Sequence, residues 1–350
     1  MVSLPFTLLS MTGTERPLTV PGEIQLSGTL HLPAEAGSDA WKCPAILFVH
    51  GSGPVDRNEN ARFIHLNVFN FLAEELGKAG YVSFRYDKRG VGKSKGSYYR
   101  AGLWDLVDDA ARALVVLKSQ KEVDPAKIVI IGHSEGCYIA PLVAQRIPVA
   151  GMVLLMAPAD RLDTILLCQA QMMEGALGTI KGLKGSLIRW LVSVQNGGRL
   201  TEAQERLLTK VRRGTKPVIR FRMSRVPAKW VREHMGFDPS EAYSSISCPV
   251  LIVNGSKDLQ VRPEDARTIA EIVRGPCEWH ILEGMTHILR RDTRDGPSVM
   301  HYKKLLKESV DPEIGQLIRG WLHRNFDENR AASLSQSVTA KPLIELHDVS

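Results

Sequence analysis

A serine hydroxyl becomes a useful nucleophile only when a base takes its proton, and that base needs a carboxylate to fix its tautomer. Residues of all three kinds lie just beyond short apolar runs in this chain. Ile128–Val129–Ile130–Ile131 leads into Gly132-His133-Ser134-Glu135-Gly136, and Cys137, Tyr138, Ile139 and Ala140 follow in a helical pattern. Glycines two places either side of a serine suit a sharp strand-to-helix turn that lifts the hydroxyl clear of the backbone. Such a turn also puts the next N–H, that of Glu135, at a helix N-terminus where it can face a developing oxyanion. The competing reading is a Gly-flanked serine serving as an ordinary N-cap. The β-branched run before Ser134 and the helical pattern after it favour the nucleophile. The side chains of His133 and Glu135 read as fillers of the turn's flanks, with Glu135 a first-turn partner of the helix dipole.

A second loop complements the first. Ile46–Leu47–Phe48–Val49 runs into His50-Gly51-Ser52-Gly53-Pro54, where glycines free the backbone to present N–H groups. The N–H of Ser52 is the expected second oxyanion donor, and losing one such donor typically costs about 10²–10³ in rate.

Acid and base come later. Val250–Leu251–Ile252–Val253 ends in Asn254-Gly255-Ser256-Lys257-Asp258, and Glu278–Leu282 ends in Glu283-Gly284-Met285-Thr286-His287. Asp258 and His287 therefore leave consecutive strand ends on the same edge. Among rivals for the base, His280 lies inside the strand, while His301 and His323 fall in later helical patterns. Asp160, after Met156-Ala157-Pro158, competes as the acid, but the Gly255 turn aims Asp258 at the histidine loop.

Positioning these loops requires a particular scaffold. Apolar runs at Ala45–His50, Tyr81–Tyr86, Lys127–Gly132, Gly151–Met156, Val250–Asn254 and Glu278–Leu282 alternate with helical patterns at Phe63–Ala79, Leu103–Ser119, Ser134–Arg146 and Glu264–Val273. That rhythm predicts an α/β fold with a mostly parallel sheet buried on both faces. Ile24 to Leu32 alternates and reads as an antiparallel edge strand, and Pro312 opens a last amphipathic helix. The rhythm breaks between Arg161 and Tyr243, where Leu162–Leu177, Leu183–Val194 and Thr201–Arg213 are helical patterns and an Arg-rich stretch follows to Trp230. A helical cap inserted after the sixth strand is the simplest organisation. Residues 1–160 and 244–326 would form the core, 161–243 the cap and 327–350 a poorly ordered tail.

Composition bounds the rest. The chain has 350 residues, 44% hydrophobic and 24% charged, as in ordinary globular enzymes. Five scattered cysteines suit thiols in a reducing compartment better than a disulfide framework. Met1 to Ser10 lacks the basic start of a secretory leader, and no run approaches the roughly 18 apolar residues of a membrane span. The expectation is cytoplasmic. Between Arg161 and Ser240 stand 15 Lys and Arg against 6 Asp and Glu, so the net charge of +7 resides in that one segment. No aromatic-interleaved basic motif accompanies it, and no nucleic-acid partner is expected.

With these residues in place the chain resembles the α/β-hydrolase superfamily, and within it bacterial esterases of the serine-aminopeptidase-like or acylaminoacyl-peptidase-like kind. The matching pieces are His50-Gly51-Ser52-Gly53-Pro54, Arg85-Tyr86-Asp87-Lys88-Arg89-Gly90-Val91-Gly92-Lys93-Ser94, Gly132-His133-Ser134-Glu135-Gly136, Asn254-Gly255-Ser256-Lys257-Asp258 and His287. They span about Ile24 to Phe326, with the cap matching only loosely. The resemblance implies a Ser134–His287–Asp258 triad, oxyanion donors at Ser52 and Glu135, and hydrolysis of a small acyl ester without metal or organic cofactor. It leaves open whether the chain acts as a monomer or a dimer. It implies structural roles for Asp87 and Arg89 as loop-fixing charges. Relatives usually carry a second glycine where this chain has Cys137, which reads as a small buried apolar residue.

Three function classes remain. The first is a carboxylesterase. The second is an aminopeptidase or acylaminoacyl-peptidase using the same triad. The third is a non-catalytic binding protein on the same scaffold. In the cap, Ile165, Leu166, Leu167, Met172, Met173 and Leu177 suit packing on the core or an acyl-chain channel. Arg212, Arg213, Arg220, Arg222, Arg225 and Arg232 suit a solvated face, or attraction of an anionic substrate or membrane surface.

Overall fold

The computed structural model describes residues 13–34, 42–182, 186–187, 190, 192–193 and 197–327. The seven expected strands and one more form a single sheet: β1 (Thr14–Val20), β2 (Leu26–Leu32), β3 (Cys43–Val49), β4 (Val82–Tyr86), β5 (Val123–His133), β6 (Gly151–Leu155), β7 (Val250–Gly255) and β8 (Cys277–Leu282). Their spatial order is β1-β2-β4-β3-β5-β6-β7-β8. The pairs β1–β2 and β2–β4 are antiparallel and the remaining pairs parallel. This is the mostly parallel sheet that the alternating runs predict.

The strand period of two explains why the central runs look uniformly apolar. β3 sends Ala45, Leu47 and Val49 to one face and Ile46 and Phe48 to the other, all buried. The first face is covered by α2 (Leu103–Lys118), α3 (Gly136–Ala144) and α8 (Asp265–Ile272). The second is covered by α1 (Val68–Gly77) and α9 (Pro312–Leu322), whose Leu72, Ile318 and Trp321 are fully buried. Each such side chain contributes about 1.5–3 kcal/mol. Pro312 does open α9, where the Asp311 carboxylate accepts from the Glu313 N–H at 2.9 Å.

Two expectations change in the core. The Ile24–Leu32 run is not the edge, because β1 pairs outside β2. β1 carries Pro17 and wholly buries only Val20, so its apolar signal is faint and its position at the edge tolerates a missing donor. The helix expected from Phe63 begins only at Val68. Before it, Asn60–Ala61 pairs with Ile64–His65 in a short hairpin. Asn60 binds Asn67 twice, accepting from its N–H and donating to its Oδ1, each at 2.9 Å. Asn67 is held left-handed at φ 51°, which stops helix growth backwards.

Between β6 and β7, the sixth and seventh strands, lie α4 (Leu162–Thr179), α5 (Leu200–Arg213), α6 (Ala228–Gly236) and α7 (Pro239–Ser244). The inserted segment has its own small core of Leu162, Leu208, Val211, Ala228, Val231 and Met235. Its Arg-rich stretch interrupts the helices. Ile219–Phe221 pairs with Ser224–Val226 as a hairpin, with Arg220 opposite Arg225, because apolar and charged residues alternate there. Most of the Leu183–Val194 pattern and residues 328–350 lie outside the described residues. Among the described residues no helix is long and apolar enough to cross a membrane.

Candidate active site

β5 ends in the turn that carries Ser134. Ser134 sits at φ 53°, a strained left-handed conformation for a residue with a Cβ. Its N–H is anchored to the Leu155 carbonyl of β6 at 2.9 Å. A Cβ on Gly132 would lie 2.5 Å from the Gly136 oxygen, and one on Gly136 would lie 2.1 Å from the Val49 oxygen. Both positions therefore exclude any side chain. Cys137 is buried, its thiol directed at the carbonyls of Gly132 and Leu155, and burial raises its pKa well above the usual thiol range. It is a packing residue, as its place in the helix suggests.

Asp258 and His287 reach Ser134 from the loops after β7 and β8. His287 Nε2 lies 3.1 Å from Ser134 Oγ, and His287 Nδ1 lies 2.7 Å from Asp258 Oδ2. With Nδ1–H donating to the carboxylate, Nε2 is left to accept the serine proton. The other oxygen of Asp258 accepts the N–H groups of Gln260 at 2.7 Å and Val261 at 3.1 Å, which fixes its orientation. The rivals are engaged elsewhere. Asp160 pairs with Arg262 at 2.6 Å, His280 with Glu278 at 2.8 Å and His301 with Asp292 at 2.6 Å.

The base's loop is held from beneath. His133 Nε2 lies 3.0 Å from the His287 carbonyl, and its Nδ1 lies 3.5 Å from the Glu59 carboxylate. Burial pulls the His133 pKa down, but the bond to Glu59 and its charge outweigh burial and raise it. Glu59 also accepts the Gly51 N–H at 2.6 Å, and it stays below the usual carboxylate range although burial opposes this.

Those contacts single out two donors. In the glycine loop the Gly51 N–H is taken by Glu59 and the Gly53 N–H by the Tyr98 hydroxyl at 3.0 Å. The N–H groups of Ser52 and Glu135 meet no acceptor among the described residues. A Cβ on Gly51 would stand 3.2 Å from the Ser134 Cβ, so this loop lies against the nucleophile. His50, which precedes it, is buried between Phe69 and Tyr86, and neither ring nitrogen has a hydrogen-bond partner among the described residues. Burial pushes its pKa down to about 4.

The side chain of Glu135 fills the turn's flank as expected, and it is also a buried ion-pair partner. Its carboxylate is buried, 2.8 Å from Lys88 Nζ and 3.0 Å from His234 Nε2, and it accepts the Trp230 indole N–H. Lys88 also donates to the Gly51 carbonyl. Burial would raise the Glu135 pKa, but Lys88 and His234 overcome it and lower it to about 2. Through Lys88, Glu135 thus ties the glycine loop to helix α6 of the inserted segment. Lys88 stands between two charges that fix its loop to neighbouring segments. Asp87 holds Arg57 at 2.7 Å, and Arg89 holds Asp109 at 2.6 Å.

Two cavities open at Ser134. One of about 290 Å³ is walled by Val55, Ile64, Leu66, His287, Ile288 and Leu306. The other, about 90 Å³, is walled by Glu135, Tyr138, Leu162, Ile165, Leu166 and Trp230. Ser52 and Gln260 border both. Of the apolar residues expected on α4, Leu166 also lines a separate hollow of about 750 Å³ with Met173, Phe221 and Met223, away from Ser134. Among the arginines, Arg212 pairs with Asp163 at 3.2 Å and Arg232 donates to the carbonyls of Val211, Thr215 and Lys216. Arg225 lies over the Tyr99 ring.

The chain is similar to "Esterase EstD" of Thermotoga maritima, 25% identical over 311 residues that cover 88% of this chain and 67% of that protein. Among solved structures it resembles Est1E from Butyrivibrio proteoclasticus with ferulic acid bound (TM-score 0.54, 18% identity, 83% of this chain and 96% of that chain). It also resembles the Pyrococcus furiosus esterase Pf2001 (TM-score 0.53, 17% identity, 93% of this chain and 97% of that chain). The sheet order and these relatives make the protein a carboxylesterase-like serine hydrolase of the α/β-hydrolase superfamily. The chain belongs to the Hydrolase_4 family, serine aminopeptidase S33, which it matches over residues 60–294.

Proposed function

We propose that the protein hydrolyses carboxylic esters through a Ser134–His287–Asp258 triad and an acyl-enzyme intermediate. His287 Nε2 takes the Ser134 proton as Oγ attacks the ester carbonyl carbon, and the carbonyl electron pair moves onto oxygen. The N–H groups of Ser52 and Glu135 receive that oxyanion. Collapse expels the alcohol, protonated by His287, and leaves the acyl group on Ser134. Water, deprotonated by the same imidazole, then releases the acid. Asp258 remains ionised throughout and stabilises the imidazolium.

The observation carrying this reading is the pair of contacts made by one imidazole, 3.1 Å to Ser134 and 2.7 Å to Asp258. Residues 161–243 act as a cap on this reading, supported by Leu162, Ile165 and Trp230 in the wall beside Ser134. Residues 1–160 and 244–326 make up the catalytic core. The five cysteines are free thiols, which favours a reducing compartment such as the cytoplasm.

Esters are favoured over aminoacyl substrates by the state of the nearby carboxylates. An aminopeptidase needs a negative group for the substrate's ammonium. The carboxylates lining the two cavities, Glu59 and Glu135, are already engaged by His133 and Gly51, and by Lys88, His234 and Trp230. The test is p-nitrophenyl acetate turnover together with labelling by a fluorophosphonate. Ser134→Ala should lose both while keeping its fold, and retained turnover in that variant would overturn the reading.

A further inference from the structure

We infer that this site prefers esters of a short acid with a longer apolar alcohol, with the alcohol in the cavity of about 290 Å³ and the acyl group in that of about 90 Å³. The inference rests on the proposed triad. The imidazolium formed at His287 must give its proton to the departing oxygen, so that oxygen lies within hydrogen-bond reach of Nε2. The carbonyl oxygen is committed to the Ser52 and Glu135 N–H groups. Of the two remaining substituents on the tetrahedral carbon, the leaving group therefore occupies the His287 side and the acyl chain the other.

The two sides are unequal in this protein. The cavity bordered by His287 is also bordered by Val55, Ile64, Leu66, Ile288 and Leu306, an apolar wall that continues to the exposed Ile64 rim. The cavity that lacks His287 has about a third of that volume. It is closed by Trp230 and by Ile165 from the inserted segment, and Trp230 is pinned by its indole bond to the buried Glu135. Leu166 and Gln169 wall this cavity on the side of the hollow of about 750 Å³, so a long acyl chain would have to part these side chains or displace the pinned ring. A long alcohol meets a ready apolar surface, where each methylene leaving water is worth up to about fourfold in kcat/KM.

Hexyl acetate and methyl heptanoate are isomers that place the same carbon atoms on opposite sides of the ester. Wild-type protein should hydrolyse hexyl acetate with a kcat/KM at least fivefold higher. A smaller ratio, or a reversed one, overturns the assignment. Leu306→Trp should shrink the ratio and Ile165→Trp should enlarge it, and a ratio unmoved by both also overturns it. Loss of fluorophosphonate labelling and of p-nitrophenyl acetate turnover in wild type would instead refute the triad itself, so the two failures are distinguishable.

Discussion

His133 Nε2 lies 3.0 Å from the carbonyl oxygen of His287, so the residue before Ser134 holds the loop that carries His287. The two lie 154 positions apart in the chain and are joined only by the packing of β5 against the loop after β8. Because the contact is to backbone, it fixes where the imidazole starts without entering the chemistry. His133→Ala should lower kcat about fivefold, in keeping with one buried hydrogen bond of roughly 1 kcal/mol, with little change in KM. Steady-state kinetics on a p-nitrophenyl ester reads this directly. An equal fall in thermal stability and activity, recovered on cooling, would instead mean a purely structural role.

The acid can be assigned by paired substitutions. Asp258→Asn removes the negative charge and favours the wrong imidazole tautomer, so kcat should fall by about 10⁴ at neutral pH. Asp160→Asn breaks only the pair with Arg262 at 2.6 Å, whose arginine is half exposed, and should leave kcat within about threefold. A larger effect at Asp160 than at Asp258 would reverse the assignment.

Glu135 and Lys88 form a pair buried on both sides. Glu135→Gln leaves the Lys88 charge without its carboxylate, and Lys88→Met leaves Glu135 with only His234 and Trp230. Each single change should destabilise the fold by about 3–5 kcal/mol. The double variant should be more stable than the less stable single variant, because no uncompensated charge remains. Urea unfolding of the four proteins gives the coupling energy, and strict additivity would argue against a direct pair.

His50 gives an acid-side signature. Its folded pKa of about 4 lies below the ordinary 6.5, so the unfolded chain binds the extra proton first. The contribution to stability is complete above pH 6.5 and is lost as pH falls from there towards 4, by about 3 kcal/mol in all. Glu135 acts lower, losing its contribution as pH falls from 4.5 towards 2. In His50→Phe, which keeps an aromatic ring against Phe69 and Tyr86, the slope between pH 6.5 and 4 should flatten relative to wild type. Denaturant titrations at several pH values measure the difference.

Short-range demands account for what was readable in advance. Gly132 must be glycine because the carbonyl oxygen of Gly136, four positions on, stands 2.5 Å from where a Cβ would be. Runs such as Ile128–Ile131 must be buried on both faces because no polar side is present. Both constraints act within a few residues, so the nucleophile turn, the glycine loop and the loops of Asp258 and His287 could be located from the chain alone. Faint or misleading local patterns hid others. β1 has little apolar signal, exposed Phe63 mimics the start of a helix, and the alternating Ile219–Val226 stretch sits in helical company.

The sequence by itself determined the strand ends from which Ser134, Asp258, His287 and Ser52 project, since apolar periodicity and glycine placement are local properties. Only the tertiary structure decided that Asp258 rather than Asp160 faces His287. Only it decided that Glu135 meets Lys88, 47 positions away, and Trp230, 95 positions away. A buried charge takes whichever partner packing brings within about 3 Å, and loops of that length place no local mark on either residue. The same packing set the unequal cavities on either side of Ser134, which no single segment of the chain encodes.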